Sequence, residues 1–311
     1  MLEGKALILA KIEGAYGVDP TPAAATDAIL CSAPSIEILG ASRERNVVLP
    51  YYGKLPPIAV GEGIKISFEA EIRGSGVATT PPRIGPLLRA CNLTQTIGGS
   101  YVDYDPNSSE SGESVAIYFH RDAIRHKLLG GVGSCKIGFK ASEIGKISFE
   151  VTGLYAGGHA ADIAFPTPTF GDSATPPIFK SASFAIQSYA ALISALNLDL
   201  GNAIAKRIEA NVDPSVYRYF IGGRAVKGDC DPEAVALATF NPWTLWNAGT
   251  AGTLTATVGS SAGNRCIVSS PSLVLDTPKY GAREGILAHT LGFSCHPTLT
   301  AGDNEIKIRF N

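Results

Sequence analysis

The sequence predicts a mainly β fold, arranged as two tandem modules with one flanking α-helix each. Three observations predict it. Ile64, Ile66, Phe68, Ala70 and Ile72 alternate with Lys65, Ser67, Glu69, Glu71 and Arg73; a period of two gives a strand with one apolar and one charged face. Glycine (34) and proline (20) exceed average use without any period, which favours many turns and strands over long helices. An order of strand, strand, long strand, proline-started helix and further strands occurs twice along the chain, as a duplication would leave it.

The totals set limits. A chain of 311 residues carries a soft prior of two domains. Hydrophobic residues make up 45%, enough for a sizeable core, and charged residues only 17%, below the usual quarter. A low charge density suggests surface buried against partners. A net charge of −2 gives no global attraction to nucleic acid. Cys31, Cys91, Cys135, Cys230, Cys266 and Cys295 form no Cys-x-x-Cys pair, so they read as small buried hydrophobes in a reducing compartment. No signal peptide is visible, and no apolar run approaches the length of a membrane-spanning helix. The expectation is a protein made in the cytoplasm with no membrane partner.

Residues 1–13 read as an ordered arm or an edge strand. Gly14, Gly17, Pro20 and Pro22 then mark an irregular loop. Strands are expected near 28–32, 35–39 and 43–49, with a break at Gly40. Pro50 to Pro57 is a proline-stiffened loop carrying Tyr51, Tyr52, Lys54 and Leu55. It is either a partner-binding surface or a loop folded on its own domain. Beyond the alternating strand, Pro81 and Pro82 suit a helix start. Ile84, Leu87, Leu88 and Cys91 then form one apolar stripe. Strands follow at 114–120, 127–129, 135–140 and 146–154. Residues 156–177 lack periodicity and read as a linker. The second part offers strands at 179–187, 194–200, 203–210 and 216–228. A helix is expected from Pro232 to about Asn247, with Asp231 as N-cap. Strands at 254–258, 265–275, 285–293 and 304–311 close the chain.

The repeat can be followed in segments. SIEILGASRERNVV from Ser35 resembles NLDLGNAIAKRIEA from Asn197, with Gly40 and Gly201 near the same point. GKISFEVTGLY from Gly145 resembles GILAHTLGF from Gly285. The expected division is a first module over 1–160 with an N-terminal arm, a linker over 161–177, and a second module over 178–311.

The opening, KIEGAYGVDPTPAAATDAILCSAP, resembles the start of the major tail tube proteins of phages with long, non-contractile tails. Lys11, Glu13, Tyr16, Gly17, Asp19 and Pro20 carry the motif, and a strand such as SFEAEIRG before a short helix also fits. The resemblance implies a β-sandwich or barrel-like module, similar to the type VI secretion tube protein. It further implies rings of six modules whose inner strands form a continuous barrel, stacked into a tube that passes DNA. A duplicated chain would need three copies per ring; one tube module with an outer decoration domain would need six. The implied partners are further copies of the chain, the tape measure, tail terminator and distal tail proteins, and double-stranded DNA in transit. The implied location is the virion tail, assembled in the host bacterial cytoplasm. On this reading Lys65, Glu69, Glu71 and Arg73 are candidate lumen residues: a wall with acidic groups would not grip phosphate. Tyr51, Tyr52, Lys54 and Leu55 are candidate contacts between rings or subunits.

No coherent active site is legible, and no catalytic residue, cofactor or metal is expected. His120-Arg121-Asp122 matches the kinase catalytic loop by letters only, without the other kinase elements. GGVGSC from Gly130 lacks the lysine of a phosphate loop and reads as a flexible hairpin. The five histidines show no ligand spacing. Trp243 and Trp246 are either core residues or interface anchors. With Tyr51 and Tyr52 they motivate an alternative, a glycan- or receptor-binding β-sandwich of a virion.

Overall fold

The structure is a computed structural model describing residues 4–109, 112–171, 174–212 and 215–311; for residues 61, 62 and 156–159 it describes the backbone alone. The first part gives β1 (Ala6–Ile12), β2 (Ala28–Ile29), β3 (Cys31–Arg43), β4 (Ile58–Glu71), α1 (Gly85–Ala90), β5 (Leu93–Ile97), β6 (Val102–Pro106), β7 (Val115–Arg121), β8 (Ile124–Lys140) and β9 (Lys146–Asp162). The second gives β10 (Ala185–Ile186), β11 (Ala195–Asp199), β12 (Asn202–Ile208), β13 (Val216–Arg224), β14 (Lys227–Cys230), α2 (Pro242–Asn247), β15 (Gly252–Val258), β16 (Cys266–Leu275), β17 (Lys279–Arg283), β18 (Ile286–Cys295) and β19 (Lys307–Phe310). The fold is mainly β, as expected.

The ladders are antiparallel. The order β3–β4–β9–β8 forms the first part of the main sheet. The far edge of β8 is then shared. Its first half takes β7, which carries β1 and β2. Its last residues, Lys136 to Lys140, take β11. The sheet continues through β14, β18 and β17. β16 is flanked by β15 on one edge and by β19 and β18 on the other. β19, at the end of the chain, also pairs β6. Two ladders, β8–β11 and β19–β6, therefore cross the expected module boundary.

Burial follows the sequence pattern where a strand has one covered face. Ile64, Ile66, Phe68, Ala70 and Ile72 are all 2% exposed or less. They join one apolar core that includes residues from both parts of the chain, such as Phe149, Leu198, Phe293 and Phe310. α1 closes this core above β5, β1, β7 and β8. Its expected stripe is found, with Leu87, Leu88 and Cys91 fully buried. The helix itself starts later than Pro81 and Pro82 suggest. Ile84 is its N-cap and Pro86 occupies its first turn.

Several expectations are corrected. β1 is neither an arm nor an edge strand, because Ile8 and Leu9 are paired on both sides, by β2 and β7. GGVGSC is not a hairpin but the middle of β8. There Gly130 has φ +61°, and a Cβ on Gly131 or Gly133 would lie 2.6 or 2.7 Å from a backbone oxygen of a neighbouring strand. The glycines let β8 bulge between the reach of β7 and that of β11. Residues 156–162, expected as linker, belong to β9. The strand expected over 179–187 shrinks to Ala185–Ile186, since Phe179 turns inward to stack on Phe139. The helix expected from Pro232 begins only at Pro242, capped by the Asn241 side chain, which accepts from the Thr244 N–H. Asp231 is unavailable as a cap: its carboxylate accepts the N–H groups of Ser194 and Ala195 at 2.8 Å.

Leu88→Ala removes a fully buried side chain where α1 meets the sheet. It is expected to lower the free energy of unfolding by about 2–5 kcal/mol, measured by denaturant titration of the purified chain.

Candidate functional site

The side chains that alternate with the core form one continuous polar face. Along β4 this face carries Lys65, Glu69 and Glu71, each half-buried, with Arg73 just past the strand end. β9 adds Lys146, Ser148 and Glu150; β8 adds Lys136; β11 adds Asn197 and Asp199; β14 adds Lys227 and Asp229. Much of this set lines an open trough of about 640 Å³. Charges on the face are paired between strands. Lys65 Nζ lies 3.6 Å from Glu37 and 3.3 Å from Glu150. Lys146 lies 3.2 Å from Glu69. Lys136 lies 2.9 Å from Asp199 across the β8–β11 seam, and that carboxylate raises the Lys136 pKa. Asn197 donates to Asp229 at 2.9 Å. The sequence singled out the β4 members alone. The same alternation in β8, β9 and β11 was the signal for the others.

Tyr51, Tyr52 and Lys54 are exposed, and Leu55 is half-buried. They lie in the long connection between β3 and β4, where Val48 and Tyr52 have side chains fully open to solvent. The two tryptophans part company: Trp243 is half-buried with its ring 5.0 Å from those of Tyr280 and His289, and Trp246 is 40% exposed.

The residues weighed for catalysis are spread through the framework. His120 is buried at the end of β7 against Phe165. Burial, with help from Arg125, lowers its pKa to about 4. Among the described residues no group of three or more His, Cys, Asp or Glu side chains is placed to hold a metal ion. The cysteines are unpaired, and all but half-buried Cys31 lie in the interior.

A family profile described as phage tail tube protein matches residues 4–295, nearly the whole chain. The chain belongs to the phage tail tube protein family. No curated protein matches it.

In this tail tube protein the opening motif works as a clamp. The Glu13 carboxylate is 7% exposed. It accepts the Gly130 N–H at 2.7 Å, the Gly17 N–H at 2.8 Å and the Ser114 hydroxyl at 2.6 Å. Gly17 has φ +73°, a conformation glycine adopts without penalty. Tyr16 reaches into the second part of the chain, where its hydroxyl accepts the Tyr219 N–H at 2.7 Å. Burial pushes its pKa up to about 12, against the opposing pull of that bond. Asp19 accepts the Tyr118 hydroxyl and the Lys127 ammonium, both at 2.6 Å. The motif thus fastens the N-terminal loop to β7, β8 and β13. In the sequence these residues carry only a resemblance; their role depends on partners far along the chain.

Burial works to raise the Asp19 carboxyl, but bonds from Lys127, Tyr118 and the Thr21 N–H outweigh it and hold its pKa below the ordinary value. Its contribution is complete above the ordinary carboxylate pKa of about 4 and is lost as pH falls through the depressed value. Asp19→Asn is expected to cost about 1–3 kcal/mol at neutral pH. The difference between the two proteins should stay constant from pH 7 to about pH 5 and shrink below about pH 4, followed by denaturation across pH.

Proposed function

We propose that this chain is the repeating subunit of a phage tail tube, with copies closing into rings and the rings stacking around a channel for double-stranded DNA. The observation that carries the reading is the run of strands β3–β4–β9–β8–β11–β14–β18–β17 in one sheet. Among the described residues each end strand is laddered on one edge only. A sheet open at both ends and polar along one face suits closure into a ring of copies, which leaves no strand edge exposed.

The chain divides on this reading into modules at 1–160 and 178–311, with three copies in a ring. Strand order supports it. In the first part β3, β4 and β9 lie side by side and α1 follows β4. In the second, β11 and β12 take the place of β3, β13 and β14 that of β4, and β18 that of β9. α2 comes after β14.

Lys65, Glu69, Glu71 and Arg73 lie on the channel wall. Because lysines there are matched with carboxylates on neighbouring strands, the wall offers DNA no run of free cations. DNA passes without sequence recognition and without the ion release that holds it to basic surfaces. The role is structural, in the virion tail, with assembly in the host cytoplasm. The tape measure protein would occupy the channel, and terminator and distal tail proteins would cap the ends. Tyr51, Tyr52, Lys54 and Leu55 serve as contacts from ring to ring.

Negative-stain electron microscopy of the purified chain tests this. Rings and tubes are expected; a population of monomers alone under assembly conditions would overturn it. Deleting Tyr51 to Pro57 is expected to leave rings intact and abolish stacking, and tubes of normal length would show that the loop is not the ring-to-ring contact.

A further inference from the structure

Of the two ladders that join the parts of the chain, β8–β11 is a seam whose two edges, on the reading above, recur elsewhere in the chain and are left open. The inner seam pairs β8 with β11. Asp199 opposes Lys136, Leu198 opposes Ile137, Asn197 opposes Gly138, Leu196 opposes Phe139 and Ala195 opposes Lys140. The Leu200 N–H donates to the Cys135 carbonyl at 3.0 Å. Asp199 and Lys136 therefore form a pair without mutual backbone bonds, the closer kind.

Both edges have a counterpart elsewhere. Lys136-Ile-Gly-Phe-Lys140 in β8 is matched by Lys279-Tyr-Gly-Ala-Arg283 in β17. Each runs into a hairpin, with β9 and with β18 respectively. Ala195-Leu-Asn-Leu-Asp199 in β11 is matched by Ala33-Pro-Ser-Ile-Glu37 in β3. Each of these is backed by the strand that occupies the same place in its part, β14 and β4. In the inner seam both outer edges are used. In β3 and β17 no described backbone group bonds to those edges.

We infer that β3 of one copy pairs antiparallel with β17 of the next, in the register of the inner seam. Glu37 then opposes Lys279, Ile36 opposes Tyr280 and Ser35 opposes Gly281. The ion pair Lys136–Asp199, at 2.9 Å, is the pattern for Lys279 and Glu37. The Ile137 and Leu198 side chains, buried in the inner seam, are the pattern for Tyr280 and Ile36. Tyr280 is 66% exposed in the single chain, and the neighbouring copy would cover it. In this register Pro34 faces Ala282 and Pro278 faces Ile38, the places of the bonded pairs Leu196–Phe139 and Leu200–Cys135 in the inner seam; proline cannot donate there, so the fully bonded ladder is confined to the three central pairs.

A second observation points to the same partner. Beyond the inner seam, the β12–β13 hairpin lies over β8 and β9, where Val216, Tyr219, Ile204 and Ile221 cover Val132 and Leu154. The outer arm of β3 and β4 stands in the same place in its own part. It leaves Ile38, Val47, Val48 and Ile58 more than half exposed. A second copy docked by the β3–β17 ladder supplies the surface that arm would cover.

Two full-length variants in a Cys31→Ser background, Glu37→Cys and Lys279→Cys, test the register. Opposed residues of this kind have Cβ atoms about 4.5–5.5 Å apart, within disulfide reach after small adjustment. Mixed and oxidised, the two are expected to give a covalent dimer, and neither alone should do so. A chain carrying Lys136→Cys and Asp199→Cys reports the inner seam by an internal disulfide. Rings seen by microscopy without a disulfide between the two introduced thiols would overturn the seam and leave the tube reading standing; monomers alone would overturn both. Lys279→Glu is expected to reduce the ring fraction about tenfold by setting like charges opposite each other. Glu37→Lys in the same chain should restore it. Assembly undisturbed by Lys279→Glu would count against the proposed pairing.

Discussion

Strand β8 is the member on which the rest of the sheet depends. One edge is given to β9 along its length. The other is divided, with β7 holding the first half and β11 the last residues. β7 and β11 meet that edge at different stretches, and β8 bulges between them. The register breaks between Val115 and Ile117 on one ladder and between Leu129 and Val132 on the other mark where the strand changes partner. Gly130, Gly131 and Gly133 occupy that bulge, where a side chain would meet the neighbouring strands or the Tyr16 ring. Glu13 then accepts the Gly130 N–H at 2.7 Å, giving a partner to a donor that the bulge withdraws from the ladder. The opening motif and the glycine run, which look unrelated along the chain, are two halves of one device.

The polar face obeys a different rule. Exposed ion pairs contribute little to stability, so Lys65 with Glu37 and Glu150, or Lys146 with Glu69, are not what holds the sheet together. The apolar face does that, through Phe68, Phe149, Ile66 and their neighbours. The pairs do fix the sign of the surface. Each lysine next to a carboxylate is a cation already answered, and a face built this way presents nearly balanced charge however many charged residues it contains. The chain as a whole is close to neutral, at −2. Along this face the balance is local as well as global.

What could be read from the sequence was set by how local its cause is. The β4 alternation and the Leu87, Leu88 and Cys91 stripe were legible because burial on one face is written at fixed spacing. The start of α2 was not. Asp231 and Pro232 form a sound capping signal, but Asp231 is taken by the N–H groups of Ser194 and Ala195, and the Pro232 carbonyl accepts from His289. Partners far along the chain decided the matter. β1 was misplaced for the same reason: a short apolar run does not reveal that both its edges will be covered. The charged residues of β4 were legible as a face, whereas their partners in β8, β9 and β11 became one site only when the ladders set them side by side. The repeat is legible in SIEIL and NLDL, whereas five residues such as KIGFK and KYGAR carry weight only through the like positions of their strands.

An open edge strand invites indiscriminate pairing, and sequences usually blunt it with charge, proline or brevity. β3 and β17 together have all three. Glu37 and Lys279 stand at the edges, Pro34 and Pro278 interrupt the donors, and β17 spans only Lys279–Arg283. Against an arbitrary strand these features are deterrents, costing bonds and burying unmatched charge. Against each other the charges are opposite and cancel, while the two prolines confine the ladder to the three pairs between them. The low charge density of the chain therefore need not make its edges adhesive. On the proposed pairing, protection and recognition are carried by the same few residues, and the β8–β11 seam is the pattern for their match within one chain.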